Sequence, residues 1–399
     1  MNSVVRQMWE QNTDVVMVDT GNSYEGLCEY VGGKYISYTD EHPITMNPFA
    51  IKREELNIEK IGFLKNLIML IWKGTQGEVT KTEDRLVEQV ITEYFDEYFV
   101  KKRIDNLSFN TFYEYSTVRI PDIIKENNLA GIDLAAYNYL LKDFYKGGSH
   151  ELTLNENLDT KLFDETFIVF EIDSIKDDPL LFPLVTLIIM DVFIQKMRIK
   201  KNRKVLVIEE AWKAIASPMM AEYIKYLYKT ARKFWASVGV VTQEIQDIVG
   251  SPIVKEAIIN NSDVVMLLDQ AKFRERFDEI KAILGLTDVD CKKIFTINRL
   301  ENKEGRSFFR EVFIRRGSVG AVFGVEEPHE CYMTYTTERA EKEALKLYKK
   351  ELQCDHQHAI EAYCRDWELS GISKSLPFAQ KVNQTGLVLH LSPNNHSEQ

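Results

Sequence analysis

Two adjacent carboxylates, Glu209 and Glu210, close the apolar run KVLVIEEAW (residues 204–212). Neighbouring carboxylates repel, and taking either out of water is costly without a compensating cation. Two arrangements resolve the conflict: a divalent metal lies against the pair, or the strand simply runs out into solvent. The first is what magnesium-dependent phosphoryl transfer needs. One carboxylate holds Mg²⁺ through a water and the next orients and polarises the attacking water. On that reading Glu209 is the metal-side residue and Glu210 the water-activating one, with the metal's charge making the pair tolerable.

Three further positions fit the same chemistry. The run SVGVVTQ (237–243) ends on Thr242 and Gln243. A strand-end amide beside the acidic pair would reach both a γ-phosphate and the attacking water, although an amide capping the next helix is an equal alternative. In YKTARKFWAS, Arg232 precedes that run and suits a charge-stabilising finger offered to a neighbouring subunit. Cations near a helix C-terminus are also expected from the helix dipole alone.

Positioning these groups requires a sheet. Five segments, 14–19, 167–173, 204–209, 237–243 and 263–270, are near-continuous apolar runs without alternation. That is the pattern of strands buried on both faces of a parallel sheet. Each finishes on polar groups: Asp19, Asp173, Glu209–Glu210, Thr242–Gln243 and Asp269. Open α/β sheets bind ligands at the carboxyl ends of their strands, so all five endings are expected on one edge.

Between the first two runs, residues from about 52 to 148 have helical spacing in three stretches, 57–74, 80–102 and 133–148. Thr80 with Glu83 three residues later predicts a capping box. The segment FFREVFIRRGSVGAVFGV predicts a hairpin turning at Gly317. A long charged helix follows from about Thr337, and SPNNHSEQ has the composition of a loose tail.

The chain has 399 residues, 45% of them hydrophobic and 28% charged, with net charge −11. This excludes a charge-driven, non-specific nucleic-acid binder. The apolar run Leu180 to Ile194 carries Asp191 and is shorter than a bilayer span, which predicts a buried helix. Five scattered cysteines without a CxxC pair suit a reducing cytoplasm. The group Cys354, His356, His358 and Cys364 does not share one helix face, as a metal site would require. The basic cluster KMRIKKNRK (196–204) is expected to be a solvated helix end.

Phosphate binding in P-loop hydrolases uses GxxxxGK[ST], whose backbone N–H groups cradle the phosphates. No segment matches; in GLCEYVGGKY the spacing is wrong and Tyr35 stands in place of the small hydroxyl. Because such a loop joins a first strand to a first helix, and NSVVRQMW has helical spacing, the loop is expected just ahead of Met1.

The segments VVMVDTGNSYEGLCEYVGGKYISYTDEHPITMNPF, KVLVIEEAWKAI and ARKFWASVGVVTQEIQDI, in this order and spacing, resemble the conjugative-transfer ATPases of type IV secretion systems. The likeness is to the TraG type of conjugative transposons, relatives of the TraC-type ATPases. The resemblance implies an α/β, RecA-like P-loop core of mostly parallel sheet flanked by helices, with an all-helical insertion. Residues 1–51 would form its first part, 52–165 the insertion, 166–326 the rest of the core with its hairpin, and 327–399 a C-terminal helix and tail. It implies ATP and Mg²⁺ as ligands, with Glu209 on the metal, Glu210 activating water, Gln243 as sensor beside Thr242, and Arg232 acting in trans. Glu209 departs from many relatives, which have Asp there. The resemblance also implies a hexamer or other homo-oligomer, contacts with other secretion components, and a cytoplasmic location peripheral to the inner membrane. A nucleic-acid partner is compatible with this family but finds no support in the net charge. The rival expectations are a non-catalytic assembly scaffold and a DNA translocase of the HerA–FtsK type.

Overall fold

The computed structural model describes residues 1–157, 160–210, 218–242, 258–299 and 309–386. Two compact units emerge: residues 12–21 with 35–261, and residues 1–11, 22–34 and 262–399.

The first unit is organised around strands β1 (Thr13–Asp19), β2 (Lys34–Ser37), β3 (Phe167–Glu171), β4 (Arg203–Glu209) and β5 (Ala236–Val241), in the order β2-β3-β1-β4-β5. The pairs β1–β3, β1–β4 and β4–β5 are parallel. Every residue of β1 and β3 is buried, as their unbroken apolar runs require. Even-numbered side chains such as Val16, Val18, Phe170, Leu206 and Ile208 join one continuous core with the helices Ile58–Lys73 and Leu181–Ile199. The Leu181–Ile199 helix is the one expected to be buried, and its Asp191 meets Lys60 at 2.8 Å in an ion pair with both side chains under 10% exposed. Among the described residues, no helix is long and apolar enough to cross a membrane.

The region between β2 and β3 is helical as expected, and the Thr80–Glu83 capping box opens the helix Lys81–Phe99. A further helix, Phe109–Glu126, lies in a stretch that its aromatic and β-branched residues and internal Pro121 disguise. Its buried Phe109, Phe112, Ser116, Ile120 and Ile123 form one stripe. These helices share the sheet's core rather than building their own; Phe49 stacks on Phe112 at 4.8 Å within it.

The basic cluster at 196–204 is solvated at Arg198, Lys201 and Arg203, as its composition suggests, but its first and last lysines are not. Lys196 is fully buried against Asp14 at 2.9 Å and donates to the carbonyls of Phe163 and Glu165. Lys204 is buried and donates to the carbonyls of Asn202 and Phe234, and burial, with Lys196 nearby, lowers its pKa. Both lysines tie strand ends together through backbone oxygens.

The second unit holds an antiparallel sheet of β6 (Val264–Leu267), β7 (Phe309–Arg316) and β8 (Val319–Glu326). The run at 263–270 therefore does not extend the parallel sheet. It pairs with the hairpin, whose turn does fall at Gly317, with φ +58°. Beyond it comes the short helix His329–Tyr335, and the single long helix expected from Thr337 is instead three, Arg339–Leu352, His356–Ser370 and Ser375–Thr385. They enclose a core that includes Met333, Leu345, Tyr348, Tyr363, Trp367 and Phe378. The tail from residue 387 lies outside the described residues.

Candidate functional site

Strand order locates the site before any side chain is considered. From β1 the chain leads toward β2 on one side, and from β4 it leads to β5 on the other. Neighbouring strands whose connections depart in opposite directions leave a crevice at their carboxyl ends, where open α/β sheets bind ligands. That crevice lies between the tips of β1 and β4.

The register aligns what stands there. Val18 pairs with Phe170 and with Ile208, and Ile208 with Val240. One residue further on, Asp19 pairs with Glu171 and Glu209 with Val241. Residues in one row of a parallel sheet share a face, so Glu171, Asp19 and Glu209 stand on three adjacent strands, opposite the face that joins the core. Asp19 is completely buried and Glu171 is 3% exposed, whereas Glu209 and Glu210 are half-buried. Strands lie about 4.8 Å apart, so at an effective dielectric of about 20 adjacent unit charges repel by roughly 3 kcal/mol. Glu171 is held by the Tyr35 hydroxyl at 3.3 Å and the Asp173 N–H at 2.7 Å.

Glu210 follows β4 with φ +49°, in the left-handed region. A non-glycine residue is strained there, and such strain collects at functional sites. Thr242, the residue after β5, is half-buried and one register step beyond the Glu209–Val241 pair. Glu209, Glu210 and Thr242 are thus brought together on neighbouring strand tips.

Other expected members are not. Arg232 is exposed in a short 3₁₀ turn (Arg232–Phe234) that enters β5 at its amino end. It lies roughly 17 Å or more along the strand from Thr242, remote from the site of its own chain. Asp269 follows β6 in the other sheet, and Asp173 lies beyond β3 in a 3₁₀ turn, paired with Lys176 at 2.8 Å. Gln243 lies outside the described residues. Sequence reasoning missed Glu171: FIVFEID offers two acids, and counting the strand to its last apolar residue selects the wrong one.

Among the described residues no three His, Cys, Asp or Glu side chains close on one point as a complete metal cage would. Mg²⁺ keeps several waters and binds through one or two carboxylates together with substrate phosphates, a donor set that Glu209 beside Asp19 on the neighbouring strand tip can offer.

Comparison with known proteins follows this geometry. A family model described as the TraG P-loop domain matches residues 1–367. Protein TraC of Escherichia coli (strain K12) is 22% identical over 297 residues, which is 69% of this chain and 31% of TraC. The chain thus spans about a third of that relative. VirB4 of Thermoanaerobacter pseudethanolicus superposes with a TM-score of 0.59 at 19% identity, covering 82% of this chain and 85% of VirB4. Plasmid coupling protein TrwB, in complex with ADP and Mg²⁺, gives 0.50 at 13% identity, covering 82% and 81%. At such identities the likeness shows the fold, and it is the RecA-like P-loop fold of conjugation ATPases. With the family model spanning all but the last 32 residues, the chain belongs to the TraG P-loop domain family.

Proposed function

We propose that this chain is the ATPase module of a conjugative-transfer, type IV secretion motor, coupling ATP hydrolysis to pilus assembly or substrate transfer. The observation that carries the reading is the Glu209–Glu210 pair at the tip of β4, half-buried beside the buried Asp19 at the sheet's switch point. Family membership supports the same chemistry.

In this mechanism Glu209 would hold Mg²⁺, with Asp19 and Glu171 on the same sheet face setting the negative field. Bound Mg²⁺ would supply charge neutralisation and Lewis acidity toward the phosphates. Glu210 accepts the proton of the attacking water at its carboxylate, from a position ahead of the pleat. Gln243 orients that water, and Thr242 hydrogen-bonds at the strand tip. Arg232, at the far end of β5, serves the site of a neighbouring copy in a hexameric ring peripheral to the inner membrane. The 399 residues contain no GxxxxGK[ST]. A loop of that pattern is what the mechanism needs to cradle the phosphates.

The test compares this chain with a version carrying such a loop ahead of Met1, by calorimetric titration with magnesium and a non-hydrolysable ATP analogue. Binding is expected only in the second. In that version Glu210→Gln should retain binding and lose turnover; unchanged hydrolysis would remove Glu210 from the role. A looped version that binds nothing would favour an assembly scaffold, and stimulation of hydrolysis by DNA would favour a translocase.

A further inference from the structure

The amino and carboxyl ends of the parallel sheet carry opposite charge. At the amino end, Lys201 leads into β4, whose first residue is Arg203, and the turn Arg232–Phe234 with Trp235 leads into β5. Lys204 pairs with Ala236, so Arg203 and Trp235 stand opposite each other where the two strands begin. Lys201, Arg203, Arg232 and Lys233 are all exposed, and among the described residues none of the four takes part in an ion pair. At the carboxyl end, Asp19, Glu171, Glu209 and Glu210 close the strands. Tyr38 joins them there, its N–H donating to the Glu171 carbonyl at 2.8 Å, and burial together with nearby Asp40 and Asp178 raises its pKa. Glu41 and Asp177, next to these in the chain, are exposed, and Lys176 is taken up by Asp173 at 2.8 Å.

Trp235 is 69% exposed with φ +57°, in the left-handed region, where a bulky residue is an outlier. The backbone around it is nonetheless fixed. Ala231 is buried and Phe234 packs on the sheet's core. The Lys204 ammonium donates to the Phe234 carbonyl at 3.0 Å, and the Lys204 N–H donates to the Trp235 carbonyl at 3.0 Å. A rigid turn thus holds an indole in water among cations. Pre-ordered tryptophan beside arginine is the composition of an interface anchor.

We propose that Trp235 anchors the amino end of this sheet on the acidic carboxyl end of a second copy of the chain, where Lys201, Arg203 and Lys233 pair with that copy's carboxylates. The inference rests on the reading of Arg232 as a residue that serves a neighbouring copy, and it names the contacts that hold Arg232 there. Charge complementarity selects the occupant. The chain carries net charge −11, and the cations of this edge leave the remainder more negative still. Each copy therefore brings the acidic surface that the basic edge of another needs. The two ends of one sheet do not meet within a copy, because β5 alone is about 20 Å long. The contact is head-to-tail, which builds a ring where its rotation closes. A nucleic-acid strand also offers anions and rings, but it brings a continuous negative field toward a chain of the same sign.

The test is sedimentation of the full chain across concentration and salt. Reversible self-association is expected, weakening as salt rises, because the pairing charges lie at the surface. Trp235→Gly removes the indole and relieves the left-handed backbone, so it should keep or raise the melting temperature while weakening association at least about tenfold. Lys201→Glu with Arg203→Glu in one chain, and Asp40→Lys with Glu41→Lys in another, should each weaken self-association, and mixing the two chains should restore it. A monomeric natural chain, association indifferent to Trp235→Gly, or reversed chains that stay apart on mixing overturns the proposal. Binding of single-stranded DNA that Trp235→Gly abolishes, in place of self-association, assigns the edge to nucleic acid and overturns it equally. Self-association is read without nucleotide, so its absence removes the interface while leaving Glu210 to its own test.

Discussion

Replacing Lys60 with Met tests how the helix Ile58–Lys73 is locked to the buried helix Leu181–Ile199. The Lys60 ammonium lies 2.8 Å from Asp191, with side-chain exposures of 7% and 5%, and 4.6 Å from the Phe63 ring centre. Asp191 also accepts from the Gln195 amide at 2.7 Å. At an effective dielectric of about 20, a pair at this distance attracts by roughly 6 kcal/mol, most of it offset by desolvation of both charges. Removing one partner is different, because Asp191 would keep its desolvation cost and lose its cation. Lys60→Met should therefore cost about 3–5 kcal/mol. For a unit of this size each kcal/mol lowers the melting temperature by about 2–4 °C, giving roughly 6–20 °C by calorimetry. The double variant Lys60→Met, Asp191→Leu leaves no stranded charge and should recover most of the loss. A single-variant cost below about 1 kcal/mol would mean that water reaches the pair. A double variant as weak as the single one would mean that Lys60 acts through its packed stem rather than its charge.

Two other outcomes follow from local geometry. Glu210→Gly relieves a left-handed conformation at φ +49° and should hold or raise stability by about 1 kcal/mol in denaturant titration, while abolishing hydrolysis in a phosphate-loop-bearing form; a clear loss of stability would contradict the strain. Glu83 is buried, which pushes its carboxyl up, but the hydrogen bonds from Lys73 at 2.5 Å and from Thr80 outweigh this and hold its pKa below the usual range. Its stabilisation is complete above the ordinary carboxylate pKa of about 4.3 and disappears as pH falls through the lower folded value, so Glu83→Gln should flatten the acid side of a melting-temperature profile.

The parallel sheet was legible because burial on both faces removes alternation in β1, β3 and β4, whereas the run ending at Thr242 became β5, an edge strand with no fully buried residue. The same criterion misled at 263–270. In β6 the apolar run has Val264 and Met266 exposed, so unbroken hydrophobicity there reflects an open apolar face, not burial in the parallel layer. Periodicity does not distinguish those two causes. The helix Phe109–Glu126 was hidden by residues of low helix propensity that tertiary packing of one stripe overrides. Lys196 and Lys204 have the composition of a solvated tract, yet their partners Asp14, Phe163 and Phe234 are remote in sequence and come together only in the fold. At the site, the identity of the acidic pair was legible and its third neighbour, Glu171, was not, because the end of β3 is set by where the chain curls into the turn at Asp173.

The backbone at Glu210 explains how two adjacent glutamates can hold different tasks. In an unbroken strand consecutive side chains face opposite sides of the sheet, and one of the pair would turn toward the packed core with Ile208 and Val18. The left-handed φ at Glu210 ends the pleat after Glu209 instead. Glu209 keeps the strand face that it shares with Asp19 and Glu171, the side to which the proposed mechanism assigns Mg²⁺. Glu210 leaves that register at the strand tip and escapes the core without joining the row. On the proposed mechanism, one strained residue would therefore separate the carboxylate assigned to the metal from the one assigned to water within a single peptide unit. Inserting a residue between Ile208 and Glu209 would exchange their faces, sending the metal-side group toward the core, and would be more damaging than substituting either glutamate alone.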